Sequence, residues 1–279
     1  MNDWPSTAGL VVRQIRYQIL MFRRVPIALF FTLVLPLKML VLFNALFGDG
    51  DVTIDGRTWP VRQFYTGGLA AFSAVSATYT NLANMVPIRR EEGVLKRWRG
   101  TPLPTWIYLA GVIGAAIVIA VVGVLIMLGL GVVAYDLEVE AAKMPAAAVT
   151  FVVGVAAFAA LGMAVAGLVP SASSAAAVAN ATILPLAFVS NIFIPIEDPP
   201  AWLATLGDIF PLKPFASSFQ DAFNPLVEAP AFDWGSLARV AAWGVAGLVV
   251  ALTTFRWEPA PGGPARRRRA RSTTVGTLE

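Results

Sequence analysis

Apolar residues along the chain gather into six long runs separated by short polar stretches: about Val25–Phe47, Phe64–Val86, Thr105–Ala134, Ala146–Val169, Ala175–Ile196 and Ser236–Phe255. A helix of about 20 apolar residues, rising about 1.5 Å per residue, crosses a hydrocarbon core of about 30 Å. The pattern therefore predicts an all-α integral membrane protein with six transmembrane helices. Ahead of the first run, Leu10, Val11, Ile15, Ile19 and Phe22 recur at helical spacing among Arg13, Arg16, Arg23 and Arg24. Residues 1–24 accordingly read as a helix lying in the membrane interface, with a frayed basic tail as the alternative. The first long run starts too far in, and lacks the small-residue cleavage site, for a secretory signal. Residues 25–257 make the spanning domain, and 258–279 read as a disordered basic tail whose arginine run is available to anionic lipid.

The runs differ in character. In the first, Pro36 predicts a kink, and Lys38 near its middle predicts a cavity, an acid or another subunit opposite it, unless the side chain snorkels. The second is the most polar, with Thr66, Ser73, Ser76, Thr78, Tyr79, Thr80, Asn81 and Asn84. Its small residues permit close helix packing, while Tyr79 and the asparagines are too large for that and point to a substrate-facing or dimer-facing surface. Gly111, Gly114, Gly123, Gly129 and Gly131 in the third run, and Gly154, Gly162 and Gly167 in the fourth, read as packing contacts. The uncharged turn PSASS follows, and Pro185 predicts a bend in the fifth run. The stretch IEDPPAWLATLGDIFPLKPFASSFQDAFNP is too polar and proline-broken to span, yet too rich in Trp202, Leu206, Phe210, Phe215 and Phe219 for a free loop. It reads as short helices dipping into the outer leaflet. Arg256 and Trp257 close the last run as an interfacial anchor pair.

Charge orients these elements. With six spans, one side of the membrane holds fifteen basic residues against five acids, and the other holds five basic residues against twelve acids. Basic residues near spans are retained in the cytoplasm, so both termini are expected there. Hydrophobic residues are 57% and charged residues 14% of the 279, which fits a membrane protein and little else. The net charge of +4 reflects this topology, so nucleic acid is not expected as a partner. There is no Cys and no His, which removes thiol nucleophiles, imidazole bases and the common metal ligands.

The densest charge lies between the second and third runs, in MVPIRREEGVLKRWRGTPLPTWIYLA, where Arg89, Arg90, Glu91, Glu92, Lys96, Arg97 and Arg99 fall close together. At helical spacing Val94, Leu95 and Trp98 share a face and the basic residues spread over the rest, which predicts a short amphipathic helix under the membrane. Gly100 and the prolines at 102 and 104 stop it. The string EEGVLKRWRGTPLP resembles the loop of permease subunits in the type-2 ATP-binding-cassette exporter family, as does the six-span layout with its proline-rich segment before the last span. An ordinary basic loop touching lipid headgroups is the plainer alternative. The resemblance implies an N-terminal elbow helix, a coupling helix between spans two and three, short extracellular re-entrant helices between spans five and six, and a separate ATPase subunit. It also implies a second permease copy, with a homodimer expected, and membrane lipid around both.

By that resemblance Glu91, Glu92, Gly93, Val94, Leu95, Lys96, Arg97, Trp98 and Arg99 form the ATPase-docking segment, with Val94, Leu95 and Trp98 as the buried anchor. Lys38, Phe72, Ser76, Tyr79, Asn81, Asn84, Asn180 and Asn191 are the candidates for the substrate pathway. Their apolar and hydroxyl character suits a lipophilic drug-like or lipid cargo, as in drug efflux and antibiotic resistance, with polysaccharide export the alternative within the family. A phosphate-binding loop needs Lys followed by Ser or Thr, and the four lysines precede Met39, Arg97, Met144 and Pro214. ATP and Mg are therefore expected on the partner, with no cofactor and no catalytic residue in this chain. A gradient-driven transporter using Lys38, and a membrane enzyme or scaffold, are the competing readings.

Overall fold

A computed structural model describes residues 6–54, 56–100 and 104–255. The basic tail 258–279, the Arg256–Trp257 pair and residues 101–103 lie outside the described residues.

Helix α1 (Thr7–Arg23) starts where Ser6 Oγ accepts the Gly9 N–H at 3.2 Å, satisfying one of the helix's orphan donors. It lies along α5 (Thr105–Tyr135), because α5 presents Gly111 and Gly114 there. A Cβ at Gly111 would collide with Gln14, and one at Gly114 would stand 2.7 Å from Ile15 Cδ1. Gly123 and Gly131 likewise face Ser73 and Thr66, whereas Gly129 has open space beside it and makes no such contact.

Helix α2 (Pro26–Phe47) contains one π-helical turn, Phe30–Val34, directly before Pro36. Proline has no N–H to return to the carbonyl four residues back, and the wider turn takes up the irregularity expected as a kink. A two-stranded hairpin follows, β1 (Asp51–Ile54) and β2 (Arg57–Pro60), with Val52 opposite Trp59.

Helix α3 (61–91) is the centre of the molecule, continuous through a π-helical turn at Ser76–Thr80. From Gln63 to Tyr79 every residue is buried. Around it pack α2, α5, α6 (Met144–Leu168), α7 (Ala172–Val189) and α9 (Leu212–Asp221). Three of its hydroxyl and amide side chains are turned back onto the helix itself. Thr66 Oγ1 donates to Arg62 O at 2.7 Å, Thr78 Oγ1 to Ala74 O at 2.8 Å and Asn84 Nδ2 to Thr80 O at 2.8 Å. Such back-bonding lets polar residues sit in an apolar surround.

Helix α6 meets α3 at Gly162, where a Cβ would stand 2.7 Å from Tyr79 O. It meets α10 (Trp234–Thr254) at Gly244, Gly247 and Gly167. Helix α7 stops at Val189, short of the expected Ile196, and continues past Pro185. The early stop has a local cause: Asn191 takes a left-handed φ of 54°, and its Oδ1 accepts the Ile196 N–H at 3.2 Å. Two short helices, α8 (Ala201–Ile209) and α9, occupy the proline-broken stretch.

Among the described residues five helices are long and apolar enough to cross a membrane: Pro26–Phe47, Trp106–Tyr135, Ala141–Leu168, Ala172–Val189 and Trp234–Thr254. Helix α3 is long enough too, but its polarity keeps it out of that group.

Candidate functional site

Two places stand out: the charged corner at the end of α3, and a cavity between α2, α3 and α7.

At the corner, α3 ends at Glu91 and the chain reverses through Gly93, whose φ of +70° is a conformation that favours glycine. Helix α4 (Val94–Arg99) follows. Its apolar face is clear, but that face belongs to this chain. Leu95 is fully buried among Leu82, Val86, Tyr108, Val112 and Met163. Trp98 is half-buried, with its ring edge-on to Tyr17 at 6.2 Å and tilted on Tyr108 at 5.7 Å. Leu95 therefore anchors α4 to α3 and α5 and offers no surface to a partner, contrary to its expected role. Glu92, Lys96 and Arg97 are exposed, and Gly93 and Val94 half-exposed. The Arg99 side chain lies outside the described residues.

Arg89 and Arg90, counted in the densest charge of the sequence, are buried. Arg89 donates to Gln18 Oε1 of α1 and, at 3.5 Å, to Tyr108 Oη of α5. Arg90 donates from Nη1 to Ala166 O at 3.1 Å and from Nη2 to Val169 O at 2.5 Å, at the C-terminal end of α6. Glu91 Oε1 accepts the Ala172 N–H at 2.8 Å, at the first turn of α7. Arg90 thus meets the C-terminus of α6 and Glu91 the N-terminus of α7, the two pairings that the dipoles of those helices favour.

The cavity has a volume of about 1220 Å³ and an aromatic wall, with Phe43, Tyr65, Phe72, Phe188 and Phe193 joined by Met39 and Leu184. Phe43 tilts on Tyr65 at 4.8 Å and Phe72 meets Phe193 edge-on at 4.9 Å. Of the eight pathway candidates only Phe72 lines it. Ser76 is buried in the packing of α3. Tyr79 turns to the opposite side, hydrogen-bonding Thr182 at 2.6 Å beside a separate crevice of about 290 Å³. Asn81 borders a small void with Gln18 and Arg89, and Asn84 bonds its own helix. Asn191 is buried in the turn after α7. Lys38 and Asn180 are exposed on α2 and α7, and Lys38 makes no ion pair among the described residues. The candidates thus do not converge. What the sequence reading missed was the aromatic set. Phe43 and Phe47, four residues apart on one helix face, were the available signal.

A bundle of apolar helices around a polar, buried central helix, with a charged corner at one end, defines a multi-pass membrane protein. The family model of the ABC-2 type transporter matches residues 10–224, most of the chain including α4. The chain belongs to that family and is the membrane-permease component of an ATP-binding-cassette transporter. Membership implies an ATPase partner. No curated protein matches the chain.

Proposed function

We propose that this chain is a six-span permease of an exporter in the cytoplasmic membrane of a prokaryote, with both termini in the cytoplasm and α3 as its second span. Two copies pair as a homodimer, and each receives an ATPase subunit on the exposed side of α4. ATP and Mg bind to that subunit. Glu92, Lys96 and Arg97 make the polar contacts, with Val94, Gly93 and the neighbouring Glu91 and Arg99 at their edge. The single observation that carries this reading is the two-sidedness of α4. Its apolar face is locked into the chain by Leu95 and Trp98 while Lys96 and Arg97 are exposed, so a force on the charged face is delivered to the helix bundle.

The aromatic wall of the large cavity supports a lipophilic drug-like or lipid cargo. A polysaccharide would require hydrogen-bonding groups along the wall, and five of the lining residues are phenylalanines. ATP binding alters the contacts with α4, and that difference between nucleotide states is the free energy available to bias the cavity. The test is reconstitution of the native complex in vesicles with a fluorescent lipophilic probe. Extrusion that follows ATP and ignores ion gradients supports the proposal; extrusion that collapses with the gradient and ignores ATP refutes it.

A further inference from the structure

The turn between α6 and α7, PSASS, contains no charge, and yet it is held by two charges from elsewhere in the chain. Arg90 is 3% exposed and its guanidinium bridges two carbonyls at the end of α6, Ala166 O and Val169 O. The next residue, Glu91, accepts from the first N–H of α7. On α7 itself Ser171 Oγ accepts the Ser174 N–H at 3.2 Å, so the helix start is shared between an internal cap and an external one. A guanidinium is suited to bridging two oxygens because its donors are fixed in a plane. Charged hydrogen bonds of this kind are shorter and stronger than neutral ones. Arg90 and Glu91 stand at the end of α3, three and two residues before the left-handed Gly93 that leads into α4. Helix α7 supplies Leu184 and Phe188 to the large cavity. The corner that bears α4 is therefore joined to a cavity wall by two adjacent side chains of opposite sign, without passing through the apolar core.

We propose that Arg90 and Glu91 are positioning residues that fasten the α6–α7 turn to the α4 corner, so that displacement of α4 carries the start of α7 with it as one rigid piece. This rests on the reading that α4 receives the ATPase, and the experiment separates the two claims. The chain lacks cysteine, so G100C and S173C on exposed positions place a spin-label pair across the clasp, and G100C with E138C places a second pair along the length of α5.

In the full chain alone, in lipid nanodiscs, the first pair gives one narrow distance distribution, and Arg90→Ala with Glu91→Ala broadens it. Equal widths in the two would overturn the proposal, whatever the ATPase does. In the native complex, ATP shifts the 100–138 distance and leaves the 100–173 distance unchanged. A nucleotide-dependent shift of the 100–173 pair overturns the clasp. No shift of either pair counts against the exporter reading while the nanodisc result still decides the clasp. With the ATPase retained, transport per ATP hydrolysed falls at least about fivefold in the double variant, the lower edge of ordinary coupling between sites; undiminished coupling sinks the idea. Glu91→Gln keeps an oxygen for the Ala172 N–H and rescues most of the loss. Arg90→Lys, a point donor in place of a fork, does not. These single variants carry the test if the double variant does not fold.

Discussion

Replacement of Leu95 by alanine separates two ways in which α4 can be held. Leu95 is wholly buried, in one apolar cluster with Leu82, Val86, Tyr108, Val112 and Met163 of this chain. Removing three buried carbons from such a site costs about 2–5 kcal/mol in a closed core. Helix α4 is six residues long with one face in solvent, so it can settle partly into the gap, and the lower part of that range applies, about 2–3 kcal/mol. At about 1.4 kcal/mol per tenfold, the helix should open roughly 30- to 150-fold more often. Amide hydrogen exchange over 94–100 reads this directly in the isolated permease, since exchange follows local opening. The spans should be unaffected. Arg97→Glu supplies the contrast: Arg97 is exposed, so its replacement should leave exchange unchanged within about 0.5 kcal/mol while weakening retention of the ATPase. Unchanged exchange in Leu95→Ala, with the ATPase lost, would mean that Leu95 faces the partner, and the reasoning would be refuted.

Gly162→Val forces a side chain against Tyr79 O, 2.7 Å from the first added carbon. Overpacking of about 1–3 kcal/mol should lower the melting temperature of the purified protein, whereas Gly129→Val, beside open space, should lower it far less. Leu184→Trp places a ring in the 1220 Å³ cavity; ATP hydrolysis should persist and extrusion of a lipophilic probe should fall. Asp221, at the end of α9, is pushed up to about 6 by burial and by the nearby Asp233, against the opposing pull of Arg57 and Lys143. A raised carboxyl binds its proton more tightly in the folded state, so this group's contribution to stability falls as pH rises from about 4 through about 6. Asp221→Asn should flatten that slope and raise the melting temperature at neutral pH, and an unchanged pH profile would contradict the assignment.

The membrane-helix architecture was legible because hydropathy and helical period act on every residue of a span. Gly111, Gly114, Gly162 and Gly167 were legible as contacts for the same reason: small residues in an apolar run have few other uses. Direction was harder to read. The grouping of Val94, Leu95 and Trp98 on one face followed from spacing alone, but spacing does not say which protein covers that face, and Leu95 proved to be covered by its own chain. The polarity of α3 suggested a pathway or dimer surface. Thr66, Thr78 and Asn84 bond carbonyls of the same helix, contacts that composition cannot reveal. Arg89 and Arg90 contribute to the basic count of the corner whether they point outward or inward. Only the positions of Gln18, Ala166 and Val169, far away in sequence, decide that. The cavity wall draws on α2, α3, α7 and the turn beyond it, and membership of such a set depends on which helices become neighbours.

The central claim is that an ATPase seats on the charged face of α4. The most direct measurement is purification of the permease from its native membrane, unchanged and as the Lys96→Glu, Arg97→Glu variant, followed by quantification of the copurifying ATPase. The account predicts a stoichiometric ATPase with the parent chain and its loss from a variant whose melting temperature is unchanged. An ATPase retained at full stoichiometry by the charge-reversed chain would contradict it.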